Sequence, residues 1–127
     1  MEKEFVKYNQ ALSLKELGFD KPCFGDYYKF DNNDIHLDTD DDRHRIITDN
    51  KDEVIIEISA PLYQQAFRWF REKHKLNNYI VPYYDYYYYL IKDFNNDVEY
   101  QNDYDQNSYE EAEQSCLIKL IEIVKNK

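Results

Sequence analysis

"PYYDYYYYL", residues 82–90, decides how the second half of this chain is read. Six of the seven positions from Tyr83 to Tyr89 are tyrosine, interrupted only by Asp85. Aromatic residues this dense, followed by Leu90 and Ile91, suit the pleated and half-buried surface of a β-strand. Pro82 at the entrance is compatible with a strand's first residue. Side chains alternate between the faces of a strand, so Tyr84, Tyr86 and Tyr88 share a side with Leu90 and are assigned to the core. Asp85, Tyr87 and Tyr89 then fall on the side open to a partner. A one-residue error of register would exchange the two faces.

Moving outward, the residues before this stretch predict a helix over 60–76. Ser59 is placed to cap it and Pro61 fits its first turn. Leu62, Ala66, Trp69, Phe70 and Lys73 recur on one side, with Gln64, Arg68, Arg71 and Lys75 opposite. After the tyrosines, "VEY" at 98–100 reads as a short strand within the otherwise loop-like 95–107. "SYEE" at 108–111 is a capping box for a last helix, with Glu111 reaching back. Its apolar stripe runs through Ala112, Cys116, Leu120 and Ile123, widened by Leu117, Ile121 and Val124.

The first half is read in the same way. Ala11, Leu14 and Leu17 predict a helix over 8–17, and Gly18 supplies the stop. A strand is expected from Phe24 to Phe30. The polar, aspartate-rich stretch 31–52 is expected as a loop or mobile hairpin around "HRIIT". "EVIIEI" at 53–58 has the β-branched content of a strand. The sum is an α+β fold in a single domain, 1–127. It would hold a small antiparallel sheet of three to five strands, with about three helices packed mainly on one face.

Charge limits what such a domain can hold. Asp and Glu number 26 against 16 Lys and Arg, a formal net charge of −10 over 127 residues. Nucleic acid is gripped through phosphate contacts to Lys and Arg, so direct nucleic-acid binding is not expected. A negative field draws in basic protein surfaces instead. No apolar run approaches the length of a membrane span, and "MEKEFVKYNQ" lacks a signal-peptide core. A cytoplasmic protein is therefore expected, with Cys23 and Cys116 as reduced thiols.

No stretch spells out catalysis. Asp38, Asp40 and Asp42 have the spacing of the first three ligands of a calcium loop, but Arg43 and Asp49 stand where Gly and Glu are required. His36, His44 and His74 have no spacing that puts two of them on one helical face, so no metal is expected. Cys116 lies in an apolar stripe, where burial disfavours thiolate. With glycine only at Gly18 and Gly25, a glycine-rich phosphate cradle is absent. The expectation is a protein that is not an enzyme and takes no cofactor.

Three blocks, "LKELGFDKPCFGDYY" (14–28), "SAPLYQQAFRWFREKHKL" (59–76) and "SYEEAEQSCLIKLIEIVKNK" (108–127), resemble a group of small uncharacterised phage and prophage proteins. They span roughly two fifths of the chain. That group has no assigned activity, so the resemblance implies a setting, a mobile element in a host cytoplasm, and transfers no functional residue. In that setting an acidic chain without a catalytic motif is expected to be an anti-defence protein, foremost an anti-CRISPR. Its partner would be a basic host protein, a CRISPR effector or another nucleic-acid-handling nuclease. The alternative is a phage accessory or adaptor protein for replication or assembly. The expected contacts are Asp38, Asp40, Asp41 and Asp42 in the acidic loop, Asp85, Tyr87 and Tyr89 on the strand, and Asp103, Tyr104 and Asp105 beyond it.

Overall fold

The computed structural model describes residues 2–39, 52–103 and 106–127. The fold is α+β, with three helices and two three-stranded antiparallel sheets where one sheet was expected. Its contacts gather into two compact units, Met1–Leu62 and Tyr63–Lys127.

In the first unit a 3-10 turn at Glu2–Glu4 precedes helix α1, Tyr8–Glu16. The helix ends as its sequence requires. Gly18 takes φ +99°, its N–H donates to the Lys15 carbonyl, and the Phe19 N–H donates back to Leu14 at 2.9 Å. These two bonds satisfy carbonyls the last turn would otherwise leave unpaired. Strands β1 (Gly25–Phe30), β2 (Ile35–Thr39) and β3 (Val54–Ala60) pair in the order β2-β1-β3. Central strand β1 carries much of the core: Tyr27, Tyr28 and Phe30 are buried, each contributing about 1.5–3 kcal/mol. The Tyr27 hydroxyl donates to the Val6 carbonyl at 2.6 Å, and its ring meets Tyr8 edge-on at 5.7 Å. Gly25 is needed for space, since a Cβ there would lie 3.0 Å from the Phe5 ring.

Two expectations change here. The stretch after Phe30 is a true hairpin as far as Thr39, turned at Asn33, whose φ of +74° asparagine tolerates well. "HRIIT" lies outside the described residues. Ser59 does not cap a helix. It pairs with Asp26 in the β1–β3 ladder, which runs on to Ala60, and the Pro61 carbonyl accepts from the Val6 N–H.

In the second unit helix α2 (Tyr63–His74) buries Tyr63, Ala66, Phe67, Trp69 and Phe70. Lys75, at φ +59°, ends it and donates from Nζ to the Glu72 carbonyl. Strands β4 (Leu76–Tyr83), β5 (Tyr86–Asp93) and β6 (Val98–Gln101) form the second sheet in that order. Helix α3 (Tyr109–Lys125) follows. The Ser108 hydroxyl accepts from the Glu111 N–H at 3.2 Å, the expected cap. The Glu111 carboxylate returns to the Asn107 N–H, one residue earlier than in a standard capping box. Helix α3 contacts β4, β5 and α2, and α2 contacts β4. One face of the sheet therefore lies under helices, with Leu76, Tyr89, Ile91 and Asp93 buried on it.

Candidate partner-binding surface

The tyrosine run is the end of one strand, a turn, and the start of another. Tyr83 pairs with Tyr86, leaving Tyr84 and Asp85 as a two-residue loop. The register then sorts every side chain. Leu76, Asn78, Ile80 and Pro82 share the helix side with Asp93, Ile91, Tyr89 and Tyr87. The opposite, outer side carries four cross-strand pairs, Asn77 with Lys92, Tyr79 with Leu90, Val81 with Tyr88 and Tyr83 with Tyr86. The expected faces are thus exchanged. Tyr89 is 9% exposed and belongs to the core, whereas Tyr86 is 46% exposed. Leu90 misdirected the alternation: it lies half-buried on the outer side, and Ile91 is the residue that is fully buried.

Strand β4 went unrecognised because Asn77, Asn78 and Pro82 are poor strand formers. Position explains Pro82. The Tyr87 N–H and carbonyl are both taken by Gln106, at 2.8 and 3.2 Å. Tyr87 therefore points no hydrogen-bonding group at Pro82, and the missing proline N–H falls on the free edge of the sheet. The same proline leaves that edge without a donor near the hairpin tip, which blunts it against strand addition.

The tip carries a local contradiction. Tyr84 adopts φ +56°, a left-handed conformation that two-residue hairpins normally give to Gly, Asn or Asp. A bulky side chain there costs about 1–2 kcal/mol. Burial does not repay it, for Tyr84 is 90% exposed. Its ring meets Tyr83 at right angles, 4.8 Å between centroids, and Tyr83 in turn lies 6.5 Å from Tyr88. Asp85, beside it, is exposed and enters none of the described ion pairs. The cation on β5 is Lys92, whose ammonium sits 5.8 Å from the Tyr79 ring and 3.8 Å from Glu99.

The remaining expected contacts divide. Asp38 is 3% exposed within β2, opposite Asp26, and is not a surface contact. Its place in the calcium-like spacing is accordingly a strand position. Asp40, Asp41 and Asp42 lie outside the described residues, as do Arg43, His44, Asp49, Tyr104 and Asp105. Asp103 is exposed. Tyr87 is half-buried, with its ring 6.1 Å from Tyr109. Tyr79, Tyr83, Tyr84 and Tyr86 were missed as surface groups. The signal that could have found them is Asp85, read as a turn residue with eight-residue strands on either side.

Other polar groups serve the fold. Asp93 is 2% exposed; its carboxylate accepts from the Asn95 and Asn96 N–H groups and the Asn96 side chain, with Lys127 Nζ at 3.7 Å. Burial pushes this carboxyl up, but the Asn96 bonds, Lys127 and Asn95 outweigh it and hold it below the ordinary aspartate value. It shapes the turn that leads to Asp97 at φ +52°. The His74 ring packs edge-on against Trp69 at 4.9 Å. Burial, then Lys127 and Lys73, lower its pKa. Burial raises the Cys116 thiol strongly and, with Asp26 nearby, takes Cys23 up to about 11. Among the described residues no three His, Cys, Asp or Glu side chains converge on a point a metal could occupy. None of the described helices is long and apolar enough to cross a membrane.

No protein-family profile matches the chain, and neither a curated protein nor a solved structure is significantly similar to it.

Proposed function

We propose that this chain works by binding a basic protein through the outer face and tip of the β4–β5 hairpin, as a phage-encoded anti-defence inhibitor of the anti-CRISPR class. The observation that carries the reading is the exposed aromatic face itself. Tyr79, Tyr83, Tyr84 and Tyr86 are all exposed on one hairpin, and tyrosine supplies large contact area at small entropy cost. The net charge of −10 sets the sign of the partner. CRISPR effectors hold their heteroduplex in a positively charged channel, a surface that an acidic chain presenting flat phenol rings complements. The resemblance of three sequence blocks to phage proteins supplies the setting. Base stacking by the same tyrosines is disfavoured, because single-strand binders flank their aromatics with a basic groove.

The test is titration of the purified chain into cleavage reactions of guide-loaded effectors from hosts with active CRISPR systems. Stoichiometric inhibition of one effector class supports the reading. No inhibition of any, together with specific association with phage replication or assembly proteins, would replace it with the accessory role.

A further inference from the structure

We infer that the hairpin tip, Tyr84 with Asp85 and Tyr86, is a seat for an arginine side chain of the partner. The inference rests on the reading of this hairpin as a partner surface, and it names the chemistry that surface recognises. Tyr84 stands where glycine would relieve the backbone, and its ring is almost wholly in solvent. Within the fold the phenol gains an edge contact with Tyr83 and no burial; a contact outside the chain gives it a further use.

Charge identifies the group that would make the contact. Elsewhere in this unit lysines already sit over aromatic faces: Lys73 over Trp69 at 5.9 Å, Lys92 over Tyr79 at 5.8 Å and Lys119 over Tyr100 at 5.4 Å. None of the described cation contacts involves Tyr84 or Tyr86. Lys92 is six residues along β5 from Tyr86, about 20 Å at the rise of a strand, and is engaged with Glu99. The tip therefore offers ring faces and one carboxylate, with no cation of its own nearby on the hairpin. A guanidinium fits both features, since it stacks flat on a phenol ring while its N–H fork bonds a carboxylate. Lysine, a strongly hydrated point charge, can satisfy only one of them well at a time. Because Pro82 blunts the adjoining edge, side chains rather than an added strand would make this contact.

The experiment is an NMR titration of the chain with three synthetic peptides that alternate glycine with arginine, lysine or glutamine. Tyrosine ring and Asp85 carboxyl resonances are followed, and each variant is checked by thermal melt. The arginine peptide should shift Tyr84, Tyr86 and Asp85 first and bind several-fold more tightly than the lysine peptide. The glutamine peptide should leave the tip unshifted. Asp85→Asn should weaken arginine binding about tenfold, and Tyr84→Gly should remove the tip shifts without lowering the melting temperature. Equal binding of the arginine and lysine peptides, with shifts spread over the acidic surface, would overturn the arginine seat. So would an arginine peptide that leaves the tip unshifted, even if Tyr84→Gly weakens inhibition of an effector; in that case the hairpin reading survives alone. Specific arginine shifts at the tip in a chain that inhibits no effector would support the seat and sink the anti-CRISPR assignment.

Discussion

Tyr84 and Tyr89 have the same side chain and opposite roles. Tyr89 is buried among the helix-facing residues of β5, so Tyr89→Ala should lose about 3–5 kcal/mol, enough to unfold a domain of ordinary stability. Tyr84→Gly should instead be neutral or stabilise by at most about 1 kcal/mol, because relief of a left-handed phenol is partly offset by the lost edge contact with Tyr83. Chemical denaturation of the two variants beside the parent checks both. If Tyr84→Gly destabilised the chain, its backbone strain would not be what the geometry implies. Burial was not legible for either residue. Six like side chains in seven positions carry no contrast between faces, and Leu90 and Ile91 put an apolar residue on each. Only the helices packed beneath Ile91 choose between them.

At the scale of elements, the strongest local chemistry was the most legible. Helix α1 ended at its glycine and α3 began at its serine, as their sequences predicted. Ser59 failed because a serine two residues before a proline also suits the end of a strand, and the pairing of β3 with β1 outweighed a possible cap. The two serines should therefore separate in the laboratory. Ser108→Ala should lose about 1 kcal/mol through its lost cap, whereas Ser59→Ala, at an exposed strand position, should stay within about ±0.5 kcal/mol. Comparable losses at both sites would contradict the assignment of β3. The β5–β6 turn and the end of α2 add a dependence on pH. Asp93 has a lowered folded pKa, so its stabilisation is complete above the ordinary value of about 3.9 and is lost as pH falls through the folded value. His74 is also lowered; below its ordinary value of about 6.5 the unfolded chain gains the proton first and stability falls. Both effects make acid destabilising. Urea midpoints should decline from pH 7 to 5, and His74→Phe should flatten that decline while leaving the steeper loss below pH 4.

For the molecule as a whole, the α+β class and the sign of the charge were readable from composition and periodicity. The division into two sheets was not, since it depends on β4, an edge strand interrupted by the weak strand formers Asn77, Asn78 and Pro82. Net charge of −10 and a β4–β5 hairpin whose one cation is Lys92 predict no shift of single- or double-stranded DNA or RNA in gels at low salt, where electrostatic binding is strongest. A clear shift at micromolar protein would turn the aromatic face into a base-stacking platform. The central claim, that the exposed tyrosine hairpin is the working surface, is tested most directly by one comparison. The parent and Tyr84→Gly are titrated against the same guide-loaded effector, and their melting temperatures are measured alongside. A hot spot worth about 2 kcal/mol or more predicts inhibition weakened roughly thirtyfold in a variant that melts at or above the parent temperature. Unchanged inhibition by a folded Tyr84→Gly chain would contradict it.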